Sequence, residues 1–220
     1  MVFRLKGISL HLQRTFMNTS VLQTAYSSGL SPDEYNQHFT QRAQLAADQS
    51  AQNHDEHLQY VPMNKQRSAR IEKTYIPSPE ITQIVEKIQT RQTWLVITED
   101  WCGDSSQIVP YILSIAKLST NITIRFLLRD SFPEIMDKYL TNGTKSIPKI
   151  IAFDTQAEKE LWTWGPRPSQ AAQEFLQRKA EGMAKSDNQL LLHKWYAQDK
   201  GKNIEREIGE LIINTSHIIV

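Results

Sequence analysis

The residue whose type and position most clearly suggest reactivity is Cys102, the only cysteine among the 220 residues. It follows an apolar run from Trp94 to Thr98, typical of a strand buried on both faces, and precedes a predicted helix at 105–117. Unpaired backbone N–H groups and the positive end of the helix dipole favour an anion at a helix N-terminus, so a cysteine there can act as a thiolate. The spacing therefore predicts thiol chemistry at this strand-to-helix junction.

Charged neighbours are expected to act on this thiol in opposite directions. Three carboxylates surround it in sequence: Glu99, Asp100 and Asp104. Nearby carboxylates raise the pKa of a thiol, whereas Arg129, which follows a neighbouring predicted parallel strand, should emerge at the same sheet edge and tune the thiol towards its anion. The alternative for Arg129 is a salt bridge with Asp130 or Glu134. The sequence leaves this balance open.

Helices and strands alternate along the chain, which favours an α/β fold with a mixed sheet. Strands are predicted at 94–98, 122–128, 149–154 and 161–164, and helices at 32–51, from 79, and at 105–117, 134–140 and 168–184. The early strands are joined through helices and should be parallel, whereas the short turn at 155–158 makes the last two an antiparallel hairpin. With helices on both faces, this is a three-layer α/β/α sandwich.

Four parts are predicted along the chain. They are a tail at 1–16, a helical N-terminal extension and linker at 17–77, the domain carrying Cys102 at 78–185, and a helical C-terminal extension at 186–220. The tail is basic, as in an organelle transit peptide, and we expect it to be unstructured or to precede a true start at Met17.

The N-terminal extension has a clear helix start followed by a stretch with few apolar residues. Ser31 is a predicted N-cap, with Pro32 at the first helical position and Glu34 placed for a capping box. Residues 62–77 contain two prolines and several basic residues, and we interpret them as a linker. His54 and His57 could share a helix face and grip a metal, but no third ligand is implied nearby and we predict no metal site.

Composition excludes several classes of protein. Twenty-five Lys and Arg against 24 Asp and Glu give a net charge of +1, which does not indicate nucleic acid as a partner. No apolar run approaches the ~18 residues of a membrane span. A single cysteine excludes an intramolecular disulfide and any zinc site that needs two thiolates.

Four features together resemble the thioredoxin family over about residues 79–182. They are Trp101-Cys102-Gly103-Asp104-Ser105 in place of a Trp-Cys-Gly-Pro-Cys active site, Pro110 eight residues after the cysteine, Ile147-Pro148 as the cis-proline loop, and Gly165 after the last strand. More narrowly, the segments around 99–104, 128–130, 140–143 and 164–168 resemble a bacterial subgroup described simply as thioredoxin family proteins. The resemblance implies a thioredoxin-like domain between helical extensions.

Two departures from the family pattern limit the chemistry. Ser105 stands where thioredoxins have the second, resolving cysteine, and Val96 stands where they have a buried aspartate that assists proton transfer. A serine hydroxyl cannot release a mixed disulfide, so a dithiol cycle within one chain is excluded. What remains is monothiol chemistry, in which an outside thiol such as glutathione resolves the intermediate.

The first hypothesis is therefore a cytoplasmic monothiol oxidoreductase of thioredoxin fold. Cys102 is the nucleophile and the Ser105 hydroxyl hydrogen-bonds its sulfur, while Gly103 and Asp104 amides stabilise the anion. The resemblance implies that Ile147 and Pro148 orient a bound peptide or thiol, and Trp101 is expected at the substrate rim. A Cys102 pKa above ~8.5, the ordinary value for a thiol, would argue against an activated nucleophile.

Two rival hypotheses share the fold. One is a non-catalytic thioredoxin-like binding module whose carboxylates have quenched the thiol, with the extra helices docking a partner. The other is a peroxide-reducing or peroxide-sensing protein that forms a sulfenic acid at Cys102. The expected partner is a protein or small-molecule thiol or disulfide, with no nucleic acid, no membrane and no cofactor beyond a low-molecular-weight thiol as co-substrate. The sequence gives no oligomeric state.

Overall fold

A mixed four-stranded sheet forms the centre of the computed structural model, which describes residues 20–48 and 55–216. The strands are β1 (Gln92–Thr98), β2 (Ile122–Leu128), β3 (Lys149–Asp154) and β4 (Lys159–Trp164). Their order across the sheet is β2-β1-β3-β4, with β1 parallel to β2, antiparallel to β3, and β3 antiparallel to β4. The predicted α/β fold with a parallel pair and a terminal hairpin is confirmed.

Helices cover both faces of the sheet and extend beyond it at both ends of the chain. They are α1 (Val21–Ser28), α2 (Pro32–Ala47), a 3-10 helix (Leu58–Tyr60), α3 (Val61–Thr74), α4 (Pro79–Glu86), α5 (Gly103–Ala116), α6 (Pro133–Met136), α7 (Ser169–Ala180), α8 (Lys185–Asp199) and α9 (Lys202–Ser216). No helix in the described ranges is long and apolar enough to cross a membrane.

Strand β1 is buried along its whole length because it lies between two strands and two helical layers. Successive side chains of a strand point to opposite faces. Trp94 and Val96 accordingly join the core beneath α3, α4 and α5, while Leu95 and Ile97 join the core on the face covered by α1 and α6. The continuous apolar run therefore predicted the central strand correctly.

The predicted linker at 62–77 is wrong, because most of it is helix α3. Pro62 lies in the first turn, where a missing N–H costs nothing, so it marks a helix start. The buried face of α3 includes two polar side chains, Asn64 and Ser68, beside Val61 and Ile71. This mixed face lacks the apolar stripe by which a helix is recognised in sequence.

The start of α2 and the C-terminal helices agree with the predictions. Ser31 accepts from the Glu34 N–H and the Glu34 side chain accepts from the Ser31 N–H, which completes the predicted capping box. The helix ends at Ala47, short of the predicted 51, and the predictions for 1–16 and for His54 lie outside the described residues.

Candidate functional site

Cys102 caps the N-terminus of α5, four residues after the end of β1. Its Sγ accepts from the Ser105 N–H at 3.5 Å, as an N-cap side chain does, and its thiol donates to the Ile147 carbonyl oxygen at 3.5 Å. The Ile147-Pro148 peptide bond is cis, as the family resemblance implied. The sheet thus brings the predicted nucleophile and the predicted proline loop into contact.

The thiol is held in its protonated form. Burial, as the largest cause, and the charge of Asp104 raise the pKa of Cys102 to about 11, against opposing effects from Ser105 and the Asp104 N–H. Desolvation penalises the thiolate more than the helix N-terminus favours it. The balance that the sequence left open therefore lies on the side of the neutral thiol, which argues against an activated nucleophile at rest.

Asp104 is part of a tight polar group on the C-terminal side of the thiol. Its Oδ2 accepts from Arg167 Nε at 2.9 Å and pairs with Nη2 at 2.7 Å, and its Oδ1 accepts from the Tyr196 hydroxyl at 2.8 Å. Arg167 also lies 4.1 Å from the centre of the Phe175 ring. The carboxylate thus ties α8 and the loop after β4 to the first turn of α5, where its charge acts on Sγ.

Asp100 makes a second polar group on the other side of the loop. Its Oδ2 accepts from Arg42 Nε at 2.6 Å and lies 3.4 Å from His38 Nε2, while its backbone oxygen accepts from Asn64 Nδ2 at 3.0 Å. The side chain is 1% exposed. Helices α2 and α3 are therefore fastened directly to the loop that carries the thiol.

Ser105 contacts the thiol through its backbone N–H. Its hydroxyl is buried and makes no hydrogen bond within the described chain, although it lies near enough to favour the thiolate. Ser105 and Asp100 also line a separate small cavity of about 30 Å³. The Ser105 N–H contacts Sγ, and the Ser105 side chain also lowers the pKa of the thiol, so the predicted support of the thiolate by the hydroxyl stays a prediction.

Arg129 pairs with Asp130 and does not supply the charge that shifts the thiol. Its Nε lies 2.8 Å from Asp130 Oδ1, which confirms the alternative prediction of a salt bridge, and Nη1 donates to the Lys145 carbonyl oxygen. The guanidinium also lies 4.7 Å from the centre of the Trp101 ring. The tuning charge beside Cys102 is Asp104, since Arg129 is neutralised by its neighbour.

Trp101 is held in a layer of side chains. The His57 ring stacks on it at 4.3 Å, so the 3-10 helix before α3 rests on the residue that precedes the cysteine. Trp101 lines the cleft described below, where the sequence expected a substrate rim. Its role in binding stays a prediction.

The proline loop is largely buried beside the thiol. Ile147 is 5% exposed and Pro148 is also buried. Gly165, with φ of 110°, lies so close to Pro148 that a Cβ at this position would be 2.3 Å from the Pro148 carbonyl oxygen. The Ile147 oxygen accepts from Cys102, and the pairing of a peptide with Ile147 stays a prediction.

A cleft of about 470 Å³ opens above Cys102, Gly103 and Asp104. One wall consists of residues from the 3-10 helix and α3, and the other of residues from α8. Lining residues that sequence reasoning did not assign to the site include Asn64, Arg67, Arg167, Lys185 and His193. They come from segments far apart in the chain, and no local motif marks them. The thiol at a helix start indicated only the residues that form the floor of the cleft.

The single thiol at a helix N-cap, the adjacent cis-proline and the mixed sheet define a thioredoxin-fold protein without a resolving cysteine. The chain belongs to the thioredoxin family, since the family model described as thioredoxin matches residues 51–212, more than half of the sequence. The match extends beyond the sheet domain into α3, α8 and α9, which form the walls of the cleft and its surroundings.

Two solved structures share the fold at low sequence identity. A Pseudomonas aeruginosa protein of unknown function has a TM-score of 0.60 and 16% identity, over 90% of this chain and 99% of that one. An HIV epitope-scaffold has a TM-score of 0.58 and 15% identity, over 89% and 99% of the two chains. No curated protein matches the sequence significantly. These likenesses show that the helical extensions belong to the shared architecture.

Proposed function

We propose that the protein is a monothiol thiol–disulfide exchange protein that acts through Cys102 and uses an external thiol, such as glutathione, as resolver. The observation that carries the proposal is the position of Sγ, at the N-terminus of α5, beside cis-Pro148 and on the floor of an open cleft. Membership of the thioredoxin family supports a redox role. The proposal places the protein in the cytoplasm, where external thiols are kept reduced.

The exchange balances without a second cysteine. Cys102 loses its proton, its thiolate attacks a disulfide RS–SR, an Sγ–S bond forms, and RS⁻ leaves and takes up a proton. Cys102 is oxidised in this step and the leaving sulfur is reduced. An external thiol R′SH then attacks the R sulfur of the mixed disulfide, which yields R′S–SR and returns Cys102 as a thiol. The electrons come from the external thiol.

The fraction of Cys102 that has lost its proton limits the rate of thiol–disulfide exchange. With a pKa of about 11, only a small fraction of the thiol is ionised at neutral pH. The higher basicity of the thiolate offsets part of this loss, so the net rate should be about 20-fold below that of an unperturbed thiol. The protein is therefore proposed as a slow exchanger at rest, whose rate rises with pH.

A non-catalytic binding module is the second candidate, and the raised pKa of Cys102 is the observation that favours it. In that case the cleft would bind a partner without covalent chemistry. The two candidates differ in whether a disulfide is captured at Sγ.

Intact mass measurement after incubation with glutathione disulfide separates the two candidates. We expect one glutathionyl adduct, removed by excess thiol and absent from Cys102→Ser. Alkylation by iodoacetamide should be about 20-fold slower than for free cysteine at neutral pH and should rise with pH towards about 11. A folded protein that gains no adduct even at alkaline pH would support the binding module and contradict exchange.

A further inference from the structure

The cleft above Cys102 has the size of a small-molecule site. Its volume of about 470 Å³ lies within the ~300–1,000 Å³ range of such sites. Two helical walls limit access to it, and Ile147 and Pro148 beside the thiol are themselves buried. The geometry thus favours a small ligand over a protein segment at this thiol.

The charges that line the cleft are not balanced. Three cationic side chains, Arg67, Arg167 and Lys185, face two carboxylates, Glu56 and Asp104. Asp104 is already paired with Arg167. Neither Arg67 nor Lys185 has an ion pair within the described chain, and Arg67 donates only to the amide oxygen of Asn64. One guanidinium and one ammonium therefore remain available to an anion.

Arg67 is the more informative of these two cations. It is partly buried, and burial together with the nearby Arg70 lowers its pKa. A partly desolvated guanidinium without a carboxylate does not stabilise the fold, because no ion pair offsets the cost of its burial. Its planar donors suit bidentate binding of a carboxylate.

His193 adds a hydrogen-bond donor close to the floor. Its Nδ1 lies 3.5 Å from Gln107 Nε2, and its Cε1 lies 3.5 Å from where a Cβ on Gly103 would be. An amide nitrogen only donates, so Nδ1 accepts and the proton of the neutral ring is on Nε2. Burial lowers the pKa of His193, which keeps the ring neutral near pH 7.

We propose that this cleft selects low-molecular-weight thiols and disulfides that carry carboxylates, with Arg67 and Lys185 binding the carboxylates and His193 donating nearer the sulfur. The proposal rests on the proposed exchange function and names its substrate class. The ligand disulfide lies over Sγ, and its charged ends reach the cations of the walls.

A matched series of disulfides tests this selectivity. Dithiodipropionate, hydroxyethyl disulfide and cystamine share a CH2CH2–S–S–CH2CH2 unit and differ in carrying negative, neutral and positive ends. The rate of mixed-disulfide formation at Cys102 is measured at low salt for each disulfide. It is divided by the rate at which the model thiol N-acetylcysteinamide reacts with the same disulfide, which removes the intrinsic reactivity of the compound. We expect about a tenfold preference for the anionic disulfide over the neutral one, discrimination against cystamine, and loss of the preference at high salt.

Variants on the two walls assign the preference to named cations. Arg67→Gln and Lys185→Gln should each reduce it several-fold. The matched controls Arg70→Gln and Lys194→Gln, on the same two helices but outside the cleft, should leave it unchanged. A preference no larger than that of the model thiol, or one that survives in the Arg67→Gln/Lys185→Gln double variant, would overturn the proposal.

Binding without chemistry separates this proposal from the exchange function. Calorimetry with Cys102→Ser measures affinity for dithiodipropionate and cystamine directly. If wild type reacts with no disulfide but Cys102→Ser binds the anionic one in an Arg67-dependent way, the substrate class stands and exchange fails. If Cys102→Ser binds neither compound, or binds both equally, the selectivity proposal is wrong.

Discussion

Asp100 and Asp104 lie two residues before and two residues after Cys102, and each fastens the loop that carries the thiol to a different helical extension. Asp100 pairs with Arg42 of α2 and, through its backbone oxygen, accepts from Asn64 of α3. Asp104 pairs with Arg167 and accepts from Tyr196 of α8. The loop is therefore held from both sides by carboxylates of the same type.

The two carboxylates differ in what they do to the thiol. Asp104 is, after burial, the largest cause of the raised Cys102 pKa, because it lies in the first turn of α5 and lines the same cleft as Sγ. Asp100 is directed below the loop, towards Arg42 and a small separate cavity. Proximity in sequence therefore does not decide whether a carboxylate shifts the pKa of the thiol. What decides it is the face of the loop on which the carboxylate lies.

Asp100→Asn should have the largest effect on stability. The substitution removes the buried one of the two carboxylates that pair with Arg42, at a site 1% exposed, and weakening such a buried pair should cost about 2–3 kcal/mol of the free energy of unfolding, although Asp55 still pairs with Arg42. Urea unfolding measures the loss. Asp55→Asn, which removes the other carboxylate on Arg42 at a site 33% exposed, is the control and should cost about 1 kcal/mol or less. Equal losses would contradict a structural role specific to Asp100.

Asp104→Asn should have the largest effect on reactivity. Loss of its negative charge lowers the Cys102 pKa and leaves Arg167 to favour the thiolate, so alkylation at neutral pH should be about threefold to tenfold faster. Asp187→Asn, in the first turn of α8 and outside the cleft, should not change the rate.

Comparison of the two variants tests the difference between the faces of the loop. If Asp100→Asn accelerated alkylation as much as Asp104→Asn while the protein stayed folded, both carboxylates would tune the thiol. The proposed division, in which Asp100 stabilises the loop and Asp104 raises the pKa of Cys102, would then be wrong.

What the sequence could predict was local. The apolar run of β1 and the thiol at the start of α5 depend on neighbouring residues, the cis peptide bond at Ile147-Pro148 was implied by the family resemblance, and the structure confirms all three. The pairing of Arg167 with Asp104 and the stacking of His57 on Trp101 join residues that no period or spacing connects.

The walls of the cleft were missed for a physical reason. Helix α3 buries Asn64 and Ser68, which hydrogen-bond to the backbone oxygens of Asp100 and Ser106 instead of filling an apolar core. A polar face of this kind looks solvated in sequence, so 62–77 resembled a linker. Arg67, on this helix, could be assigned to the site only once the helix was in place.

Ser105→Ala should have the smallest effect and tests whether anything in the first turn of α5 besides the Asp104 carboxylate controls the thiol. The hydroxyl is buried without a hydrogen bond, while the N–H that contacts Sγ is retained in alanine. Removing an unpaired buried hydroxyl is close to neutral for stability. The Ser105 side chain lowers the Cys102 pKa by less than Asp104 raises it, so alkylation at neutral pH should slow by no more than about twofold, whereas Asp104→Asn measured beside it accelerates the reaction. A tenfold decrease in Ser105→Ala would show that the hydroxyl affects the thiol more than the charge of Asp104 does.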